Sequence, residues 1–367
     1  MFFETLLPRL IGFDRLKGKG DRFYIGGEYA RAYRAYKRAA LAVGSSDYRR
    51  ASVEGLLADC ARRCGVPHEA SFPEGGSASE VFVPGIHDLF ELALADKPTE
   101  RAERYRNLGP EFEAGYVALV QGEGERALRH LDAAARAESS EFVIELERGR
   151  AASLAGRMKE AEAALARARL REPNDVEGLN LLAAVKIQLG DFAGAERFLS
   201  PVDNRGEGTA ETFFLLGRAL SAAGRRQEAL EKLAEAVRRE GRFHEAYFEG
   251  GAILEAEGDV PGAFRAYRMA SSLDPEDISY NRNLARVVLE HGLDVREGLA
   301  ACDRLMLVDE ERHWEYLSWV AELYVAAGWK REARDPLQKA IRLVPAGLVE
   351  ERSRLERRLA ELAVAAP

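Results

Sequence analysis

The sequence predicts an all-α protein built as a row of short helical hairpins, and three regularities lead to that prediction. A glycine recurs every 34 residues, at Gly122, Gly156, Gly190, Gly224, Gly258 and Gly292. Between these glycines, apolar residues fall at the three- and four-residue spacing of helices that bury one face. Small residues also occupy fixed places in each segment. Because one hairpin cannot bury both of its apolar faces alone, the hairpins must stack on one another.

The segment 244–277 shows the hairpin pattern most clearly. Its first stripe consists of Tyr247, Gly250, Gly251 and Leu254, and its second of Ala263, Tyr267 and Ala270. Gly258 and Asp259 separate the two stripes. Pro261 stands where the first turn of a helix needs no N–H donor, and Pro275 follows the second stripe, where it ends a helix. These signals predict two helices joined by a tight turn.

The small residues predict that facing helices approach closely, since a larger side chain would keep them apart. In the first helix the small residue recurs as Gly115, Gly149, Ala183, Gly217, Gly251 and Ala285. In the second helix an alanine recurs as Ala127, Ala161, Ala195, Ala229 and Ala263. A large residue four positions later recurs as Leu131, Leu165, Leu199, Leu233 and Tyr267. We expect the large residue to fill the space between successive hairpins.

Period and pattern together resemble the tetratricopeptide repeat, a 34-residue helical hairpin. The resemblance is close over residues 108–347, where it implies a right-handed α-solenoid of seven repeats. It also implies a non-catalytic scaffold whose first helices line a concave groove for a partner peptide or helix. The lysine and asparagine clamp with which chaperone-binding members hold a carboxylate has no counterpart here beyond Asn180.

By spacing, the resemblance carries the groove onto particular residues of the first helices. The candidate partner-binding residues are Tyr116, Arg150, Asn180, Phe214, Arg218, Phe248, Arg282 and Arg286. Aromatic residues and arginines are enriched at interface hot spots, so the stretch from Phe214 to Arg286 has the most interaction-like composition. The alternative is that each phenylalanine packs on a neighbouring hairpin and each arginine pairs with Glu211, Glu245 or Glu255.

Residues 1–107 are predicted to form an N-terminal helical region with degenerate repeats. The second-helix spacing returns in Ala32, Tyr36 and Ala39, and again in Ile86, Phe90 and Ala93. A long insertion loop is predicted at about residues 65–85, and a short helix from about Thr99 to Asn107. Residues 1–22 combine apolar with basic side chains, a composition that fits packing on the array, docking on a partner or lying on a membrane surface.

At the other end the repeat pattern becomes less regular. Six hairpins start 34 residues apart, but the seventh starts 36 residues after the sixth. Pro336 falls inside the last second helix, so we expect it to kink or delay that helix. Residues 348–367 are predicted to form a capping helix, because Leu348, Leu355, Leu359 and Leu362 share one stripe beside charged residues.

Composition narrows the classes of function. The 367 residues carry a net charge of −8, which argues against general nucleic-acid binding, although the first 50 residues are basic. Three cysteines are too few for a disulfide framework, which favours a reducing compartment and a cytoplasmic protein. The sequence has no apolar run of about 18 residues, and its start lacks the features of a signal peptide.

The sequence shows few features of an enzyme. The sequence has no phosphate-binding glycine loop and no HExxH motif. Cys60, Cys64 and His68 could supply three zinc ligands, but Gly65 and Pro67 interrupt that helix and no fourth ligand is evident. We therefore expect no enzyme, no metal, no cofactor and no small-molecule substrate.

The sequence thus favours a cytoplasmic, non-catalytic adaptor that binds a protein or peptide and no nucleic acid. Two alternatives stay open. One is a membrane-surface assembly factor of the secretion or pilus type, attached through residues 1–22. The other is a catalytic or nucleic-acid-binding module within residues 1–107.

Overall fold

A computed structural model describes the helix Ile86–Leu94 and residues 97–137 and 141–364. Before residue 86 it describes Tyr24, Tyr29, Ala32, Tyr36 and positions 56, 57, 59, 60, 62 and 63. The predictions for residues 1–22 and 65–85 lie outside these described residues. Within them, all regular secondary structure is helical, which confirms the all-α class.

Seventeen α-helices have defined bounds in the described part of the chain. They are α1 (Ile86–Leu94), α2 (Thr99–Arg106), α3 (Gly109–Val120), α4 (Gly124–Ala137), α5 (Phe142–Leu154), α6 (Met158–Arg171), α7 (Val176–Gln188), α8 (Phe192–Asn204), α9 (Ala210–Ala222), α10 (Arg226–Arg239), α11 (His244–Ala256), α12 (Val260–Leu273), α13 (Ile278–His291), α14 (Val295–Val308), α15 (His313–Ala326), α16 (Arg334–Leu343) and α17 (Val349–Val364). A 3₁₀ helix, Glu310–Arg312, precedes α15.

The chain forms two compact units, residues 1–189 and residues 190–367. Unit 1 holds α1–α7, including the hairpins α3/α4 and α5/α6. Unit 2 holds α8–α17, with the hairpins α9/α10, α11/α12, α13/α14 and α15/α16. Within each unit, every hairpin packs on the next one along the chain, as in an α-solenoid.

The recurring glycines lie in the turns, as predicted. Gly122, Gly156, Gly190, Gly224, Gly258 and Gly292 all have positive φ, between 62° and 82°. Around Gly258, the N–H of Gly258 donates to the Glu255 carbonyl at 2.9 Å and the N–H of Asp259 to the Leu254 carbonyl at 2.9 Å. The turn therefore satisfies the last carbonyls of α11 with a backbone conformation that favours glycine. Gly328 has the same conformation in the seventh hairpin.

The small residue of the first helix faces the large residue of its own hairpin. A Cβ atom added to Gly115 would lie 2.8 Å from Leu131 Cγ, and one added to Gly217 would lie 2.8 Å from Leu233 Cγ. These large residues therefore pack inside their own hairpin, in addition to the expected contact between successive hairpins. Leu233 does reach the next hairpin, where its Cδ1 would be 4.0 Å from a Cβ at Gly250. One leucine thus holds its own two helices together and also contacts the next hairpin.

Helix α1 takes the place of a second helix before the first clear hairpin. It packs on α3, as second helices pack on the first helix that follows them. Phe90 is 2% exposed, and its ring meets that of Tyr116 edge-on at 5.9 Å. The second-helix spacing predicted for this segment is therefore reflected in its packing.

The connection from α1 to α3 is unusually long. Elsewhere four or five residues join a second helix to the next first helix, but residues 95–108 separate α1 from α3. The short helix α2 lies inside this connection and confirms the predicted short helix. It is therefore an insertion into the repeat pattern.

The C-terminal irregularities follow the sequence. Pro336 lies in the first turn of α16, which begins late and is 10 residues long, so the predicted delay is confirmed. In α17, Leu355 and Leu362 are buried and Leu359 packs on the same core, whereas Leu348, which precedes the helix, is 41% exposed. The described helices include none with the length and apolar content needed to cross a membrane.

Candidate binding surfaces on the first helices

The first helices of each unit share a face that points away from the second helices, and we call it the first-helix face. In unit 1 it belongs to α3, α5 and α7, and there α2 covers the predicted groove residue Tyr116. Tyr116 is 3% exposed, and the ring of Tyr105 from α2 meets it edge-on at 5.1 Å. The same ring meets Phe112 at 5.1 Å, and Asn180 is 2% exposed. Tyr116 and Asn180 are thus buried in this structure.

Arg150 is held in an ion-pair network in unit 1. Its guanidinium donates to Glu147 of its own helix at 3.0 Å and to Glu177 of α7 at 2.6 Å. Glu147 is fully buried and also accepts a hydrogen bond from the Tyr105 hydroxyl. Because Glu147 has lost its contact with water, these two donors stabilise its charge. Arg150 therefore supports the fold at this point.

In unit 2 the predicted phenylalanines pack on one side and stay partly exposed on the other. The Phe214 ring lies 5.2 Å from that of Phe243, which precedes the next first helix. The Phe248 ring lies 5.6 Å from Tyr267 of its own hairpin and 4.9 Å from Tyr280 of the next hairpin. Both phenylalanines are of intermediate burial. These contacts match the alternative in which each phenylalanine packs on its neighbours.

The predicted arginines of unit 2 join consecutive first helices. Arg218 of α9 lies 3.4 Å from Glu249 of α11, and Arg282 of α13 lies 3.1 Å from Glu315 of α15. These two glutamates were not among the carboxylates predicted as partners. A separation of about 31 residues, which is one repeat less one helical turn, would have indicated Glu249. The arginine side chains thus brace the first-helix face.

Arg286 makes the tightest of these pairs, and here the predicted partner, Glu255, is the one observed. It donates to both Glu255 carboxylate oxygens, with distances of 2.7 and 2.8 Å. The Tyr267 hydroxyl donates to the same carboxylate at 2.8 Å. The hydrogen bond from Arg286 holds the pKa of Glu255 below its usual value. The pKa of Tyr267 is raised, mainly because the hydroxyl is buried and secondly because it is hydrogen-bonded to the Glu255 carboxylate. A bidentate pair of this kind fixes the geometry of both side chains.

The C-terminal helix extends the first-helix face of unit 2. Arg358 of α17 donates to both oxygens of Glu322 on α15, at 2.8 and 2.7 Å. This pair places α17 beside α15 as if it were the next first helix. Its apolar stripe packs on α15 and α16 as a cap, as predicted.

A cleft lies between α13, α15 and α17 in unit 2. It encloses about 800 Å³. Two tryptophans contribute to its walls, Trp314 and Trp319, each of which packs on the hydrophobic core with part of its ring system. Leu289 and Leu355 add apolar surface from the flanking helices. The volume lies within the range of small-molecule and cofactor sites in proteins, about 300–1,000 Å³.

The polar groups of the cleft are mostly paired. Glu315 and Glu322 on α15 are bound by Arg282 and Arg358, and Glu290 on α13 is bound by Arg286 at 2.8 Å. Among the described residues, no group of three or more histidines, cysteines and carboxylates lies close enough to hold a metal ion. Cys60 and Cys302 are both buried. The other two members of the zinc candidate, Cys64 and His68, lie outside the described residues.

Comparison with known proteins finds similarity at the level of fold. No protein-family profile matches the chain, and no curated protein does. A tetratricopeptide repeat protein from Parabacteroides merdae is 15% identical over 71% of this chain and 99% of its own, with a TM-score of 0.45. PilF of Pseudomonas aeruginosa is 15% identical over 59% of this chain and 97% of its own, with a TM-score of 0.47. YrrB, described as a tetratricopeptide protein with an unusual peptide-binding site, is 17% identical over 49% of this chain and 92% of its own, with a TM-score of 0.37.

The assignment of the repeat rests on the chain's own geometry. Its turn glycines recur every 34 residues from Gly122 to Gly292 and share one backbone conformation, and a glycine in the first helix, such as Gly217, meets a large side chain of the second. This is the architecture that defines the repeat. The chain therefore has the helical-hairpin architecture of tetratricopeptide repeats.

Proposed function

We propose that the chain is a non-catalytic interaction scaffold that binds a peptide or helical segment of a protein partner on the first-helix face of unit 2. The cleft between α13, α15 and α17 supplies the main anchoring site. The observation that carries the proposal is a cleft of about 800 Å³ with two partly exposed tryptophans in its walls.

The dimensions of the cleft favour a chain segment. Its lining runs from Trp314 to Glu322 on α15, which corresponds to about 12 Å of helix at ~1.5 Å per residue. On α17 the lining runs from Glu351 to Glu361, about 15 Å by the same rise. An extended peptide covers such a length with about four residues at ~3.3 Å each. Side chains of one segment can therefore reach both tryptophans.

The aromatic residues define what the partner must offer. Partly buried tryptophans with rigid surroundings are common hot spots, because a docking side chain gains apolar contact without ordering a mobile ring. Phe214 and Phe248 continue partly exposed aromatic surface along α9 and α11. The partner segment should thus carry large apolar side chains, one of which enters the cleft.

The paired arginines set orientation in this proposal. Arg218, Arg282 and Arg286 are each bound to a glutamate of a neighbouring first helix. A partner that offered a carboxylate to one of them would have to compete with that glutamate. Polar contacts on this face therefore select and orient a segment, while the aromatic contacts provide most of the affinity.

The test fills the cleft without removing any packing. Ser318 lines the cleft, and its hydroxyl donates to the Glu315 carbonyl at 2.6 Å. Ser318→Trp adds a large side chain at that point. The matched control is Ser272→Trp, because Ser272 is exposed on the second helix α12 and its hydroxyl donates to the Met269 carbonyl at 2.8 Å. Both variants replace a serine that is bonded in the same way.

The probe is a phage-displayed library of random twelve-residue peptides selected on the unaltered chain. We expect enriched peptides rich in large apolar residues, which bind the Ser272→Trp variant normally and lose at least about tenfold in affinity for Ser318→Trp, roughly 1.4 kcal/mol. Circular dichroism confirms that both variants are folded. If the library yields no specific peptide, or if the peptides bind both variants equally, the cleft is not the anchoring site.

A further inference from the structure

The helix α2 occupies part of the first-helix face of unit 1. It is the inserted helix between α1 and α3, and its side chains reach over α3, α5 and α7. Tyr105 is 1% exposed and lies against the rings of Phe112 and Tyr116, with its hydroxyl bonded to Glu147. The resemblance to tetratricopeptide repeats assigns Tyr116 to the groove. The segment that fills this part of the groove comes from the chain itself.

The contacts of α2 are dominated by basic side chains. Arg101 reaches Asp175 at 2.5 Å and Glu177 at 3.1 Å, and Lys97 reaches Glu177 at 3.0 Å. Arg104 reaches Glu172 at 2.9 Å and Glu141 at 3.4 Å. Arg101 and Arg104 also stand over the Phe142 ring, at 5.2 and 5.6 Å. Aromatic and acidic groups of unit 1 are thus arranged to receive a basic segment.

The surface beneath α2 is acidic without it. On this face, α2 and its flank contact the carboxylates of Glu141, Glu147, Glu172, Asp175 and Glu177, while Arg106 at the end of α2 pairs with Glu91 of α1 at 2.8 Å. One guanidinium of the first helices, that of Arg150, lies among them and binds both Glu147 and Glu177. Removing α2 would leave these carboxylates closely spaced with little compensating charge, which favours a replacement of the same chemistry.

The helix α2 is itself poorly suited to stand alone. It has eight residues, and its N-cap residue, Pro98, makes no side-chain cap. Isolated helices of this length are unstable in water, so α2 owes its conformation to the face on which it lies. Of the basic side chains that hold this segment, those of Lys97 and Arg101 are 16% exposed and that of Arg104 is 35% exposed. Because α2 belongs to none of the hairpins, its displacement would require no hairpin to open.

We propose that the first-helix face of unit 1 is a second binding site, specific for a basic, tyrosine-bearing segment, and that α2 is its built-in competitor. The partner segment presents basic side chains with the spacing of Lys97, Arg101 and Arg104, followed by a tyrosine. It displaces α2, and the exchange leaves the tyrosine pocket and the carboxylates filled. This site lies wholly in unit 1 and does not depend on the cleft of unit 2.

The experiment uses a peptide copy of α2 as the probe. A fluorescent peptide of residues 96–107 is titrated into the full chain and into the variant Arg101→Glu/Arg104→Glu, in which α2 is repelled by the acidic face. The matched control is Arg126→Glu/Arg129→Glu, which makes the same charge change on exposed residues of α4. A peptide with alanine in place of Arg101 and Tyr105 serves as the negative probe.

We expect the peptide to bind the opened variant at least about tenfold more tightly than the unaltered chain, because a competitor that closes the site nine-tenths of the time raises the apparent Kd about tenfold. The control variant should bind like the unaltered chain. Equal affinity for the opened variant and the unaltered chain would show that α2 is no competitor. Failure of the opened variant to bind would show that the face does not recognise this sequence.

A second measurement needs no variant. Hydrogen–deuterium exchange of residues 99–106 is followed in the unaltered chain with and without saturating peptide. Displacement predicts faster exchange in α2 when the peptide is bound, and unchanged exchange under saturation would overturn the proposal. If the double charge reversal unfolds the chain, Tyr105→Phe, which removes the hydrogen bond to Glu147 alone, replaces it in the titration with the same expected direction.

Discussion

Two adjacent glycines of α11 provide a direct test of how the hairpins pack. Gly250 and Gly251 are both buried in the helix interior. A Cβ added to Gly250 would meet only Leu233 Cδ1, at 4.0 Å, which is an ordinary contact. A Cβ added to Gly251 would lie 2.8 Å from both Cδ1 and Cε1 of Tyr267. The same substitution, glycine to alanine, therefore makes an ordinary contact at one position and a clash at the next.

The Tyr267 ring cannot move aside cheaply. It is 2% exposed, it packs on Phe248 at 5.6 Å, and its hydroxyl is bonded to Glu255. Alanine in place of glycine gains about 1 kcal/mol of helix propensity at either position. Overpacking a close contact costs about 1–3 kcal/mol. We therefore expect Gly250→Ala to stabilise unit 2 by about 1 kcal/mol, and Gly251→Ala to be neutral or to destabilise it by up to about 2 kcal/mol.

The sixth hairpin contains a natural counterpart of this substitution. There Ala285 takes the place of the glycine, and Cys302, shifted by one residue, takes the place of Tyr267. Both residues are fully buried in the same core cluster. Ala285 has one methyl group more than Gly251, and Cys302 is much smaller than Tyr267. Such compensation is expected if the distance between the two helices is kept constant and the core stays close-packed.

Urea denaturation followed by far-ultraviolet circular dichroism measures the difference between the two variants. Gly250→Ala should have the higher midpoint, with a difference in the free energy of unfolding of about 1–3 kcal/mol. Equal midpoints for the two variants, or a higher midpoint for Gly251→Ala, would refute the close-packing argument. A reduced slope in both variants would instead indicate a change in the unfolding cooperativity.

Three further predictions follow from particular contacts. Burial opposes ionisation of Glu177, but the charges of Lys97 and Arg150 outweigh it and hold the pKa of Glu177 at about 2. The free energy of unfolding should therefore fall as the pH drops from about 4.5 towards 2. Glu177→Gln should flatten that part of a curve of stability against pH. Burial raises the pKa of the Cys302 thiol to about 12. Alkylation followed by peptide mass spectrometry should therefore leave Cys302 unlabelled in the folded chain and label it in urea. Labelling at equal rates in the two conditions would contradict its burial. The Thr209 hydroxyl caps α9 by accepting a hydrogen bond from a backbone N–H at 3.2 Å. Thr209→Ala should therefore lower the free energy of unfolding by about 1 kcal/mol, whereas Thr209→Ser should retain most of the stability. Identical melting curves for the two variants would exclude the cap.

The repeat could be predicted from the sequence because its signals are local. Gly122 and its equivalents mark turns that need positive φ, and this requirement acts within a few residues of each glycine. The large residue opposite each small one, such as Leu233 opposite Gly217, is only 16 residues away. Pro336 delays α16 through its own missing N–H and ring. Each of these effects acts within a single hairpin.

The binding residues were harder to predict because their availability depends on distant parts of the chain. Tyr116 has the residue type and the repeat position of an exposed groove residue, yet Tyr105 covers it. The sequence predicts α2 as a short helix, but nothing in eight residues indicates the face on which they lie. The partners of Arg218 and Arg282 were missed for a related reason, since helix-to-helix pairs depend on the offset between neighbouring repeats.

The sequence by itself determined the helical hairpin, its period, its turns and the residues that pack within it, because hydrophobic spacing and glycine conformation act over short stretches of chain. Only the tertiary structure decided which surfaces stay open. It placed α2 on the first-helix face of unit 1, and it set α17 beside α15 so that a cleft forms in unit 2. Both outcomes arise from contacts between segments far apart in sequence, where a basic helix meets carboxylates, or where an arginine such as Arg358 meets Glu322.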